Sequence, residues 1–208
     1  MTPRALLLAD GPSDQPLGRH VARIAQRYGF ELDVVAPDLR RLDPPPGRDV
    51  AARLAAVLAF DEDFDLVIVH RDAEGQNPEM RRNEVLSGVA TIREQMPALP
   101  VVPVRMTETW LLLDEDAIRR VAGRPNGAEP LGLPSPATVE QALDPKQVLR
   151  HALELASGAS GRRLRRFKRD FGSHRRRLLE GLDHHGPVSQ LGAWQQLETN
   201  VVRVLGDL

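Results

Sequence analysis

The sequence predicts an α/β fold, with a parallel sheet of about four strands flanked by helices and a helical extension toward the C-terminus. Three observations carry this. Leu66, Val67, Ile68 and Val69 form a continuous apolar run between charged residues, the pattern of a strand buried on both faces of a parallel sheet. Strand-like and helix-like stretches alternate with short links over roughly the first hundred residues, which favours a parallel sheet with helices on both faces. Beyond that point the strand-like runs cease and helical stretches follow one another. The expected division is an α/β domain over 1–114 and a helical extension, packed on it, over 115–208.

Each element has its own signal. Residues 5–9 are apolar and read as the first strand, ended by Asp10. Gly11, Pro12, Ser13 and Asp14 make a turn in which Ser13 or Asp14 can cap the next helix. Leu17, Val21, Ile24 and Ala25 recur at helical spacing and give a helix to about Tyr28, stopped by Gly29. Residues 31–36, ELDVVA, alternate into a second strand, and DPPPG at 43–47 is a stiff loop. Val50, Leu54, Val57 and Leu58 mark an amphipathic helix that leads into the central strand. After Gly75 a helix is expected from about Glu79, with Val85, Leu86, Val89 and Ile92 on its buried stripe. Pro97 and Pro100 are read as breaking it, and residues 101–104 as the fourth strand. A helix then runs from Glu108 to about Val121, and a Pro- and Gly-rich loop covers 123–136. Asp144-Pro145 starts another helix, with Pro in its first turn. Two more helical stretches cover about 162–182 and 189–204.

Composition bounds the function. The 208 residues can bury a full core. With 28 basic against 29 acidic residues, no overall field argues for nucleic acid, so local charge must carry that argument. Lys146 and Lys168 are the only lysines. There is no cysteine, which excludes disulfides and thiolate metal sites and fits a cytoplasmic location. The apolar run near the N-terminus is cut off by Asp10 and is too short for a signal-peptide core or a membrane span. No membrane association is expected.

The chemistry gathers at strand ends. In open α/β sheets ligands bind beyond the carboxyl ends of the strands. Asp10 and Asp14 flank the turn after the first strand, and Asp72 and Glu74 follow the third. With strand 1 beside strand 3, these acids share one edge of the sheet. Two carboxylates two apart in extended backbone point the same way, so Asp72 and Glu74 are expected to converge; a solvated acidic loop is the competing reading. Glu108, after the fourth strand, is a further acid at that edge, or else a helix N-terminal carboxylate favoured by the dipole. Clustered carboxylates without His or Cys are hard oxygen ligands suited to Mg²⁺ or Mn²⁺. Such ions can activate water and stabilise the charge that develops in phosphodiester cleavage. Lys146 can neutralise that charge, or be a solvated surface lysine. His70 reads as a hydrogen-bonded core residue, and His184 and His185 have no partner at metal-ligand spacing.

These residues resemble the TOPRIM domain shared by topoisomerases, primases, recombination-associated proteins and the overcoming-lysogenisation-defect nucleases. The resemblance rests on Asp10-Gly11 ending the first strand and on Asp72-Ala73-Glu74 after an apolar strand. The likeness is nearest to a group of small TOPRIM-like proteins, through HRDAEG at 70–75, ETWLLLD at 108–114 and DPK at 144–146. The first acid of TOPRIM proteins is usually Glu and is Asp10 here; the second acid of the usual Asp-x-Asp is Glu74. Both keep an oxygen ligand. The resemblance implies a Rossmann-like, TOPRIM-type sheet and a nuclease whose Asp10, Asp14, Asp72 and Glu74 share metals, with Glu108 as an added metal carboxylate. The catalytic set it points to is Asp10, Asp72, Glu74 and Glu108, joined by Lys146.

The densest local charge lies at 161–177, GRRLRRFKRDFGSHRRR. Arg162, Arg163, Arg165, Arg166, Lys168, Arg169, Arg175, Arg176 and Arg177, with Phe167 and Phe171 interleaved, can track a phosphate backbone of DNA or RNA. An arginine-rich solvated helix with its Phe residues facing a core is the competing reading. A receiver-type phosphoacceptor domain fits less well: Thr107 can serve as its hydroxyl, but the fifth strand and its lysine are missing. The stronger rival to a nuclease is a non-catalytic TOPRIM-like module that partners a separate ATPase. No G-x-x-x-x-G-K-[ST] loop is present, so an ATP-driven step requires another protein.

Overall fold

The two apolar runs read as strands 1 and 3 form the middle of the sheet. In the computed structural model, which describes residues 1–208, β1 (Arg4–Leu8), β2 (Asp33–Val35), β3 (Leu66–His70) and β4 (Ala98–Val101) lie in the order β2-β1-β3-β4. Every pairing is parallel, and nine α-helices accompany the sheet. The fold is therefore α/β and Rossmann-like, as the alternation of elements predicts. β1 pairs with β3 in the register Ala5↔Leu66 to Leu8↔Val69. All five residues of β3 are buried, the apolar Leu66, Val67, Ile68 and Val69 together with His70, as in a strand covered on both faces.

By internal contacts the chain divides into two units, Met1–Val102 with Gln195–Leu208, and Pro103–Trp194. In the first unit α1 (Leu17–Arg27), α2 (Val50–Leu58) and α3 (Pro78–Ile92) connect the strands. Asp49 caps α2 by accepting from the Ala52 N–H at 2.8 Å, and Asn77 caps α3 by accepting from the Glu79 N–H at 2.9 Å. One core is built from Leu6, Leu8, Val67 and Val69 of the strands with Val50, Leu54, Val57, Val85 and Val89 of α2 and α3. Leu7 points to the other face, as strand alternation requires. There α1 comes so close that a Cβ on Gly18 would meet Leu7 at 3.3 Å and Val34 at 2.9 Å.

Several elements differ from the sequence expectation. β4 is Ala98–Val101 rather than 101–104, with Pro100 inside it opposite Val69. β4 is an edge strand, and an edge tolerates the proline that would remove a ladder hydrogen bond in the middle of a sheet. On α3 only Val85 and Val89 are buried, while Leu86 and Ile92 face outward. The expected 108–121 helix is two, α4 (Glu108–Leu111) and α5 (Glu115–Val121), because Asp114 turns extended and caps α5 through the Ala117 N–H.

The second unit holds α4, α5, α6 (Pro145–Ser157), α7 (Gly161–Arg169) and α8 (Phe171–Glu180). Asp144 caps α6 through the Gln147 N–H at 2.9 Å, and Gly158 closes it in the left-handed conformation at φ +56°. Trp110 and Trp194 meet edge to face at 5.2 Å between ring centroids, and His184 lies edge-on to Trp194 at 5.0 Å. The last helix, α9 (Gly192–Gly206), begins here and belongs to the first unit from Gln195 on. No helix is long and apolar enough to cross a membrane.

Candidate functional site

The pairing of β1 with β3 carries the ends of both strands to one edge of the sheet. Asp10 stands two residues beyond β1 and Asp72 two beyond β3. The arginines around Asp10 are the unforeseen part. Its Oδ1 accepts from Arg71 Nη1 at 3.0 Å and lies 3.5 Å from Arg53 Nη1. Arg53 reaches from α2 and also donates to the Ala9 carbonyl and, through Nε, to the Gly47 carbonyl, each at 3.1 Å. Arg71 donates to the Arg48 carbonyl at 3.1 Å and faces Glu84 at 3.4 Å. Burial pushes the Arg53 guanidinium pKa down, and the charges of Arg71 and Arg48 push the same way against Asp10.

Asp14 is buried in the tight turn Pro12–Asp14, its N–H donating to the Gly11 carbonyl at 3.0 Å. His70, the last residue of β3, is wholly buried, with Nε2 at 3.3 Å from Asp72 Oδ1. Burial alone would lower its pKa, but the hydrogen bond to Asp72 and the charges of Asp14, Asp72 and Asp10 outweigh it and raise the imidazole above its usual value. Three of the sequence-identified acids thus act on one buried ring. Glu74 does not join them in the expected way. Its φ of +51° puts it in a left-handed turn with Gly75 at φ +86°, so the extended-backbone rule that would align it with Asp72 does not apply, and Glu74 is exposed. A cavity of about 50 Å³ opens beside Asp10 and Gly11, bounded by Gln15, Asp38, Arg40 and Arg53. That is room for water and not for a nucleotide.

The oxygen donors suit Mg²⁺ or Mn²⁺ in kind, but their arrangement does not fit such an ion. No three His, Cys, Asp or Glu side chains are grouped to hold one. Asp10 is engaged by two guanidiniums and Asp72 by His70. Glu108 is buried in the second unit, where Arg175 Nε donates to its Oε1 at 2.8 Å. A buried pair of this kind is costly to break from one side, because the survivor is left as an uncompensated charge. Lys146 is exposed in the first turn of α6.

The basic segment is two helices, since the chain turns tightly at Asp170, whose N–H donates to the Phe167 carbonyl at 3.1 Å. α7 has no buried residue at all. Arg162, Arg163, Arg165, Arg166 and Arg169 are exposed and have no acidic partner. Lys168 pairs with Glu154 at 2.8 Å and Arg176 with Glu180 at 2.9 Å. Arg175, grouped with the surface cations by sequence, is instead the buried partner of Glu108. Phe167 stacks on His174 at 4.2 Å, and Phe171 is buried under the guanidinium of Arg150, 4.0 Å from its ring centre.

Sequence reasoning passed over Arg53 and Arg71. Arg53 is the one charged residue within the apolar stretch VAARLAAVL, and a lone charge in such a helix calls for a partner. Arg71 sits inside HRDAEG between the strand and its acids. Comparison of the chain with models of known families, with curated proteins and with solved structures finds no match.

Proposed function

We propose that this chain is a TOPRIM-like nucleic-acid-binding protein that grips the phosphate backbone through α7. The observation that carries this reading is the set of five exposed α7 arginines without acidic partners, on a chain whose total charge is −1. Surface arginines of a helix in a balanced protein commonly pair with acids three or four residues away; here the cations stand alone, as a polyanion-binding face requires. The work on the phosphodiester belongs, on the TOPRIM resemblance, to the edge of the sheet that holds Asp10 and Asp72.

Two readings of that edge follow from different grounds. The engagement of Asp10 by Arg53 and Arg71 favours a non-catalytic module that serves a separate ATPase. The TOPRIM resemblance of the residues at that edge favours Mg²⁺- or Mn²⁺-dependent cleavage, which requires Asp10 to release Arg53 and Arg71 and Asp72 to release His70. One assay separates them: DNA and RNA incubated with the chain and Mn²⁺, beside Asp72→Ala. Cleavage that falls by at least 10² in the variant, together with an ion-induced rise in melting temperature that the variant lacks, establishes the nuclease. Salt-sensitive binding with no cleavage in either protein establishes the module, and absence of binding at low salt overturns the nucleic-acid reading itself.

A further inference from the structure

We infer that α7 is built for the paired phosphate backbone of a duplex and not for the unstacked bases of a single strand. The inference rests on the nucleic-acid reading above and names the class of substrate. Two independent features of the second unit support it.

The first is the fate of the aromatic residues. Proteins that hold single strands combine a basic groove with exposed aromatic rings on which successive bases stack. In sequence, Phe167 and Phe171 interleave with the arginines and look like such a platform. In the structure neither ring is offered. Phe171 is buried beneath Arg150, and Phe167 lies half-buried with its face on the His174 ring. The remaining Phe, Tyr or Trp residues of this unit, Trp110 and Trp194, are buried against each other. The unit exposes cations and withholds its rings.

The second is the layout of the cations. Arg162, Arg165, Arg166 and Arg169 recur at i, i+3, i+4 and i+7, so they form one stripe along the helix, with Leu164 and Phe167 turned to the opposite, half-buried side. At 1.5 Å per residue the stripe is about 10 Å long. A duplex presents about six phosphate charges over that distance, and one strand about three. Four guanidiniums on one face are matched by two strands and outnumber the charges of one. The same inward turn of Leu164 and Phe167 removes the apolar face that an amphipathic helix would sink into a lipid surface.

The test uses the full chain and fluorescence anisotropy with a labelled 20-base-pair DNA duplex, an RNA duplex of the same sequence, the separated strands, and vesicles containing phosphatidylserine as a control. Duplex binding that exceeds single-strand binding and falls about 10²-fold from 50 to 200 mM salt is expected, the fall for about four neutralised phosphates. The DNA and RNA arms show which duplex is preferred. Replacing Arg162, Arg165, Arg166 and Arg169 with Gln flattens the salt dependence, and replacing the same four with Lys restores most of it, which excludes a folding defect. Single strands bound as tightly as duplex, with affinity lost in Phe167→Leu, overturn the inference and leave the nucleic-acid reading in place. Binding that ignores the four-Gln change overturns the assignment to α7. Binding to vesicles alone, or to nothing, overturns both.

Discussion

His174 is the residue whose protonation the fold most plainly resists. Burial pushes its imidazole down from the usual value near 6.5, and Arg177 pushes the same way against Asp170 and the Phe167 backbone. The folded state therefore holds the neutral ring while the unfolded chain takes up a proton as pH falls through about 6.5. Stability from this group is complete above that pH and is lost below it. Melting curves at pH 5 and pH 7.5 should show a drop on the acid side that shrinks in His174→Asn. His70 has the opposite sign: its raised pKa gives stability that is complete below its unfolded value and lost as pH rises through the folded one. A His174→Asn protein with an unchanged acid-side drop rules this assignment out. At this scale the sequence revealed positions more readily than partners. Asp10 and Asp72 were legible because strand ends are marked by the end of an apolar run. That Asp10 would meet Arg53, 43 residues away, was not, because a guanidinium's reach depends on how α2 lies on the sheet.

Among the elements, legibility followed burial. β1 and β3 are apolar except for Arg4 and His70 at their ends and could be read directly, whereas β4 carries Pro100 and lies three residues earlier than the sequence places it, its edge position accommodating the proline. The breaks at Asp114 and Asp170 escaped the helical periodicity because a cap or a tight turn interrupts a helix without interrupting its apolar spacing. The seam between α2 and α3 is tightly packed, with Gly88 set so close that a Cβ there would lie 2.9 Å from Val50 Cβ. Alanine normally gains up to about 1 kcal/mol over glycine inside a helix. Here overpacking should win, with Gly88→Ala losing about 1–3 kcal/mol. Denaturant unfolding decides it, and a variant more stable than the parent means that α2 and α3 separate freely.

Across the whole molecule, the order along the chain differs from the order of the units. The first unit takes its last segment from residues 195–208, which bring the buried Leu197, Val201, Val204 and Leu205 and the ion pair of Arg27 with Glu198. Burying each of those side chains contributes on the order of 1.5–3 kcal/mol, and together they rival the whole stability of a small domain. A chain truncated after residue 194 should therefore lose its cooperative melting transition, and amide exchange should show β1 and β3 unprotected; a truncated chain that melts like the parent overturns this. On the ribosome the same arrangement imposes a wait. The four strands are made early, but the second unit must emerge before the segment that completes the first, an interval of roughly 5–20 s at ordinary rates of synthesis. Throughout it the first unit lacks the buried side chains of Leu197, Val201, Val204 and Leu205 and the apolar surface they cover stands exposed, so this is the stage at which chaperone protection matters most for the yield of folded protein.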